Sequence, residues 1–237
     1  MLSSILPTSE EMALGWLPDT LQQLMSAPHI ECIVVDNNSR DGTADCARDA
    51  GCRLINCPDS SRAQRLNVGI EAARYERVLL HHPRSRLEPT AIPALLALDR
   101  SIPWGGFTHA FDHAHPLLDW TSYYSNRIRM DRSGIVYLDH CIFFYRSLLA
   151  APAVPERYIF EDTALSLRLR RLGPPRRLAP RAITSSIRYA RNGVWRQATM
   201  NQFMKLGYAA RMPDPWLNRI YERGLGLNGA TRPNRPE

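Results

Sequence analysis

The sequence predicts an α/β fold with a mainly parallel central sheet flanked by helices. Short apolar runs alternate with helix-like segments along the chain, the pattern of strand–helix–strand units. One of those runs, "HIECIVVD" at residues 29–36, is almost continuously apolar, as a strand covered on both faces must be. At 237 residues and 44% apolar composition the chain can bury one sizeable core. A single domain over residues 1–223 is expected, followed by a flexible tail at 224–237 rich in glycine, proline and polar residues.

The elements follow in order. Leu2 to Leu6 reads as a first strand closed by Pro7, and Pro18 to Ser26 as a helix with Leu17, Leu21 and Leu24 on one side. After the second strand at 29–36, the turn-rich "DNNSRDGT" leads into a short helix, Ala44 to Ala50, and a third strand, Arg53 to Asn56. Ser60 to Ala73 reads as a helix, and Arg77 to Leu80 as a fourth strand that stops abruptly in "HHPRSR". Further on, the aromatic, strand-like run Tyr158 to Phe160 precedes a helix that begins at Glu161 and places Leu165, Leu169 and Leu172 on one face. Trp195 to Ala210 reads as a C-terminal helix.

Thirty basic against twenty-three acidic side chains give a formal charge of +7, which suits a phosphate-bearing ligand, nucleic acid or an anionic membrane surface without choosing among them. No nucleic-acid-binding motif accompanies the charge, so no nucleic-acid partner is expected. The arginine-rich stretches at 127–132 and 168–171 fit solvated helix faces. Five cysteines, an odd number without a CxxC pair, argue against a disulfide scaffold and match no standard zinc spacing. The N-terminus lacks the basic start and long apolar segment of a signal peptide, and no run approaches a membrane span, so a cytoplasmic protein is expected.

Ligands of open parallel sheets bind beyond the carboxyl ends of the strands, where strand order switches. Asp36 ends the second strand, and its carboxylate can accept hydrogen bonds from a base imide or a ribose hydroxyl. His81, His82 and Arg84 follow the fourth strand. Arg62 lies at a helix start, where backbone amides and the positive helix end already favour anions, and an arginine there can grip a diphosphate. Glu161 and Asp162 also open a helix; one acid would satisfy capping, and there are two. Asp41, Gly42 and Thr43 read as turn and cap residues, and Gly69 as a site of close helix packing. The first strand is not followed by a glycine-rich basic loop, which argues against a nucleotidyltransferase.

The stretches "SILPTSEE", "ECIVVDNNSRDGTADCARDAG", "SSRAQRLNVGIEAA", "VLLHHPRSRLEP", "GGF", "YLDHCIFFYR", "FEDTALSLRLRRLG" and "ITSSIRYARNG" carry a resemblance. In order and spacing they are similar to the family 2 glycosyltransferases of the GT-A fold, in particular to the bacterial subgroup of rSAM/selenodomain-associated glycosyltransferases, over about residues 3–210. The resemblance implies inverting transfer of a sugar from a nucleotide-diphosphate donor, with a leaning toward a UDP-sugar, to an acceptor hydroxyl. It implies nucleotide binding by Asp36, a donor pocket faced by Arg62 and Asn67, and an acceptor pocket lined by Asp139 and by His140, which replaces a family glutamine. Asp162 matches the general base, with Glu161 second, and Arg188 matches an arginine that can reach the diphosphate.

The family binds a divalent ion, Mg²⁺ or Mn²⁺, through an aspartate of a DxD-like strand tip. Here His82 matches the family histidine, and Arg84 stands where the aspartate should be. A cation cannot serve as a ligand for a hard metal ion. Two readings follow: Arg84 neutralises the diphosphate itself, aided by Arg62, Arg188 and a protonated His82, or the chain is a catalytically silent GT-A domain that binds nucleotide or acceptor. The C-terminal helix, with Trp216 and Tyr221, can pack on the domain, rest on a bilayer as a peripheral membrane contact, or join a second copy as a homodimer.

Overall fold

The computed structural model describes residues 1–223. The expected tail at 224–237 lies outside the described residues, as does the side chain of Tyr221. The chain divides into two compact units, one formed by Met1–Glu156 and Glu161–Ser185, the other by Arg157–Phe160 and the chain from Ser186 onward.

The first unit is built on an eight-stranded sheet. Its strands are β1 (Leu2–Thr8), β2 (Ile30–Asp36), β3 (Arg53–Asn56), β4 (Arg77–Leu80), β5 (Ser85–Leu87), β6 (Trp104–Phe111), β7 (Ile142–Tyr145) and β8 (Arg176–Thr184), in the order β3-β2-β1-β4-β7-β6-β8-β5. The β3-β2-β1-β4 half is parallel throughout. β7 then pairs antiparallel with both β4 and β6, β8 parallel with β6, and β5 antiparallel with β8.

Period-two alternation divides the core between the two faces of the sheet. Leu2, Leu6, Cys32 and Val34 pack with Leu17, Leu21 and Leu24 of α1 (Leu17–Ser26) and Ala47 of α2 (Thr43–Asp49). Ile5, Ile33 and Val35 face the opposite way, toward Ala63, Leu66 and Ile70 of α3 (Arg62–Ala72) and Leu165 and Leu169 of α6 (Glu161–Leu169). Between these helices the chain adds α4 (Ala91–Leu96) and α5 (Pro116–Tyr123), which runs on into a π-helix at Tyr124–Arg132. A Cβ at Gly69 would come within 2.3 Å of Ile5 Cγ2, so this glycine lets α3 lie directly on β1.

Strand order switches between β1 and β4: the chain leaves β1 outward through β2 and β3, then returns to β1's other side. In open α/β sheets a switch of this kind marks the place where ligands bind, here over the carboxyl ends of β1, β2 and β4.

Several sequence expectations shift. β1 runs through Pro7 to Thr8, because β4 pairs only with Ser3–Ile5 and no ladder bond from that neighbour is required of Pro7. Just past the strand tip, "SRL" (Ser85–Leu87) is itself strand β5, paired with β8. In β8 the register jumps from Leu178 to Arg181, which bulges out Ala179 and Pro180, where proline's missing N–H breaks no ladder bond to β6. α6 ends at Leu169, so Leu172 does not share its buried face and is exposed. Tyr158–Phe160 forms no strand; Phe160 turns at φ 59° directly before α6.

The second unit holds α7 (Ile187–Asn192), α8 (Val194–Ala209) and α9 (Asp214–Arg223). Its small core joins Ile159, Met200, Met204 and Leu217 with Phe160 and Tyr208. Gly207 allows α9 to approach α8, since a Cβ there would meet Leu217 Cδ2 at 2.7 Å, and Arg157 ties the start of α9 through Asp214 at 3.1 Å. No helix among the described residues is long and apolar enough to cross a membrane.

Candidate active site

The crevice begins at the ends of β1 and β2. Asp36 is buried, and its Oδ1 accepts from Thr8 Oγ1 at 2.8 Å and from Ser39 Oγ at 2.7 Å, while Oδ2 accepts from Ser39 N at 2.7 Å. A carboxylate has about four lone-pair sites, so one on Oδ2 is left to receive a ligand. The loop after β1 is stitched to the loop after β2: Glu10 N donates to Ser39 Oγ, Glu11 N to Thr43 Oγ1 and Met12 N to Asp41 Oδ2. Asp41 is thereby a turn residue, as its sequence context indicates.

That stitching presents the buried Glu11 to the tip beyond β4, where Arg84 Nε donates to Glu11 Oε2 at 2.9 Å. The Arg84 side chain remains 32% exposed. Arg84 N also donates to His82 Nδ1 at 3.2 Å.

On the other wall, the starts of α3 and α6 meet in an ion pair between Arg62 Nε and Glu161 Oε1. Glu161 is buried, and its Oε2 has no hydrogen-bond partner among the described residues. Asp162 points the other way: Oδ2 accepts from Leu138 N at 3.0 Å and Oδ1 from Thr163 N at 2.7 Å. Burial first, then the neighbouring Glu161 charge, raise the Asp162 carboxyl to about 6, against the partial pull of Arg62 and the Leu138 N–H.

Asp139 reaches the same place from the turn before β7 and lies 3.6 Å from His109 Nε2. Burial alone would raise its carboxyl, but His109, His140, His82 and Arg129 outweigh it and hold the group below its ordinary value. Asp139 also acts electrostatically on Arg62, and Arg62, Asp36 and Glu11 act on Arg65, so the charges of the two sides lie near one another.

Two expected ligand residues are structural instead. Asn67 closes a two-bond clamp on the main chain of Val154, donating from Nδ2 to the carbonyl and accepting from the N–H on Oδ1, each at 2.8 Å. Its amide is spent there and does not face a donor. Asn67→Ala should lower stability by roughly 1–3 kcal/mol per stranded backbone group while leaving nucleotide affinity unchanged, measured by denaturant melts beside calorimetry. His140 is wholly buried. Its Nδ1 donates to Phe107 O at 2.9 Å, so Nε2 accepts from Ser125 Oγ at 2.8 Å, and burial pushes its pKa down to about 4. It is a neutral brace behind Asp139 and does not line a pocket. Arg188 falls on α7 in the second unit.

Residues 3–147 match the family model for glycosyl transferase family 2. The chain belongs to glycosyl transferase family 2. The matched stretch carries Asp36, Arg62, Arg84 and Asp139, while Glu161 and Asp162 lie beyond it. Solved structures of similar fold include the following. Mannosyl-3-phosphoglycerate synthase from Rubrobacter xylanophilus matches with TM-score 0.56 and 14% identity, covering 78% of this chain and 67% of that one. Glucosyl-3-phosphoglycerate synthase from Mycobacterium tuberculosis, in complex with Mn²⁺, UDP and glucosyl-3-phosphoglycerate, matches with TM-score 0.57 and 18% identity, covering 78% and 70%. TarS residues 1–349 from S. aureus, in complex with UDP-GlcNAc, matches with TM-score 0.58 and 16% identity, covering 78% and 58%. No curated protein sequence matches.

Within this family 2 chain, sequence reasoning missed Glu11, Arg65, Arg129 and Tyr137. Arg129 stacks on the Tyr137 ring at 4.0 Å and donates to Ser125 Oγ, placing a cation behind Asp139. Tyr137, beside Asp162, has its phenol pushed up to about 12, chiefly by burial. The only available signal for Glu11 was its place just after the first strand, and charge alone could not show that it faces Arg84.

The donor set at the strand tip does not fit a divalent ion. The position that should bring a carboxylate brings a guanidinium, and the acid it touches, Glu11, serves as its counter-ion.

Proposed function

We propose that the protein transfers a sugar from a nucleotide-diphosphate donor, of the UDP-sugar class, to an acceptor hydroxyl with inversion at the anomeric carbon. The observation that carries this is Asp162: a crevice carboxylate held near neutrality by burial and by Glu161, and not consumed by an ion pair as Glu161 is. The acceptor hydroxyl attacks the anomeric carbon from the side opposite the diphosphate. Asp162 takes the hydroxyl proton as the new C–O bond forms, and the electron pair of the breaking bond leaves with the diphosphate. Arg84 and Arg62 meet the departing charge in place of a metal, and Asp139 faces the acceptor.

UDP in the mycobacterial synthase and UDP-GlcNAc in TarS support the donor class. The order of the sequence motifs supports placement in the rSAM/selenodomain-associated subgroup, acting in the cytoplasm. A second reading is favoured by one observation: Arg84 is already paired with Glu11, which suits a silent domain that binds nucleotide or acceptor without turnover.

Calorimetric titration with UDP, GDP and ADP, with Mn²⁺ or with chelator, tests the proposal beside a donor-hydrolysis assay. UDP should bind equally well in both conditions, weaken as salt rises, and be released slowly from a UDP-sugar. Binding without any turnover assigns the silent domain. Absence of nucleotide binding under every condition overturns both readings.

A further inference from the structure

The formal charge of +7 is not spread over the molecule. The unit that carries the sheet and the crevice has twenty basic and twenty acidic side chains, whereas residues 157–160 and 186–237 have ten basic against three acidic. The helical unit therefore holds the entire net charge. Four of its arginines, Arg191, Arg196, Arg211 and Arg219, are exposed.

The same unit leaves several large apolar side chains uncovered. α8 buries Gln197, Met200, Met204 and Gly207. At 100° per residue, Trp195, Thr199, Gln202 and Leu206 lie along the opposite side. Trp195 is 73% and Leu206 69% exposed, and Phe203 flanks them. Their eleven-residue separation sets the two large side chains about 16 Å apart along one line of the helix, at ~1.5 Å per residue. Trp216 of α9 is also exposed. A helix with one face in a small core and Trp195, Phe203 and Leu206 exposed on the other, interrupted by Thr199 and Gln202 and set amid arginines, can rest those three side chains at the headgroup level of a bilayer.

We propose that this unit docks on an anionic lipid bilayer through the exposed face of α8. The charge partition selects the occupant. A second copy brings the same +7 onto the face and is repelled, while an anionic leaflet attracts it and receives the apolar line at headgroup depth. The proposal does not depend on the transferase reading.

The test is flotation of the full chain with phosphatidylcholine vesicles, with and without phosphatidylglycerol, read beside tryptophan emission. The protein should float only with phosphatidylglycerol vesicles, come off at high salt, and show a blue shift on binding. Trp195→Ser with Leu206→Ser should abolish most of the blue shift and weaken partitioning at least about tenfold, consistent with the loss of two buried apolar side chains. Arg191→Glu with Arg196→Glu should prevent binding. Trp120→Ser, at an exposed position on α5, should change neither, and circular dichroism melts should show every variant folded. No flotation with phosphatidylglycerol, or equal flotation with phosphatidylcholine alone, overturns the proposal. So does a concentration-dependent dimer lost in the Trp195→Ser, Leu206→Ser variant, or duplex DNA binding that requires the same residues.

Discussion

Asp162→Asn should lower turnover by a factor on the order of 10² to 10⁴ while donor affinity stays nearly unchanged. The amide keeps an acceptor oxygen for the Leu138 N–H and gives up the bond from Thr163 N, and it cannot take a proton. In the unaltered protein, kcat/KM should fall as pH drops through about 6, where the carboxylate becomes protonated. Stability should move the opposite way. A carboxyl whose folded pKa lies above its unfolded value favours the native state at low pH, and that contribution is lost as pH rises through about 6, because the fold must then hold a charge it disfavours. The parent should therefore lose melting temperature as pH rises through about 6, and Asp162→Asn should not show that loss. Glu161→Gln should melt lower than the parent, since it strips Arg62 of its buried counter-ion at the junction of α3 and α6. Equal loss of donor binding and turnover in Asp162→Asn, or a pH dependence of melting near pH 6 that persists in that variant, would assign Asp162 to helix capping and remove it as the base.

The first half of the sheet was legible because its signals are local. β1 to β4 and their helices follow from apolar periodicity and turn chemistry, and Asp36 and Arg84 follow from standing at strand ends. The rest depends on contacts between distant residues. Asn67 and Val154 are 87 positions apart, and an asparagine that clamps a loop reads in sequence like one that faces a ligand. His140 occupies a family glutamine's place, but only the fold shows that both its nitrogens are taken by Phe107 and Ser125. The charge partition could be counted from the sequence once the boundary at 185/186 is known. That boundary lies inside "TSSIRY", where no shift in composition marks it.

The Arg84–Glu11 pair sets the second large expectation, because it makes the metal question quantitative. A diphosphate brings about two negative charges, and at Arg84 it must compete with Glu11 for the same guanidinium. Arg84→Ala should cost roughly 1.5–3 kcal/mol of UDP affinity, the scale of a charged hydrogen bond, or about 10- to 150-fold. Glu11→Gln should act in the opposite direction and tighten UDP several-fold, since Arg84 then meets the ligand without a fixed counter-ion. In the background of Arg84→Ala, Glu11→Gln should give far less of that gain, and this non-additivity separates direct competition from a general change in crevice charge. Arg84→Ala alone should also melt lower, because it leaves a buried carboxylate without its guanidinium, and the double variant should recover part of the loss. Divalent ions should leave the parent's affinity unchanged, while Arg84→Asp, which returns a hard oxygen donor beside Glu11, should make UDP binding respond to Mn²⁺. Affinity that climbs steeply with Mn²⁺ in the unaltered protein, or an Arg84→Ala variant that folds and binds UDP as well as the parent, defeats the arginine-for-metal account.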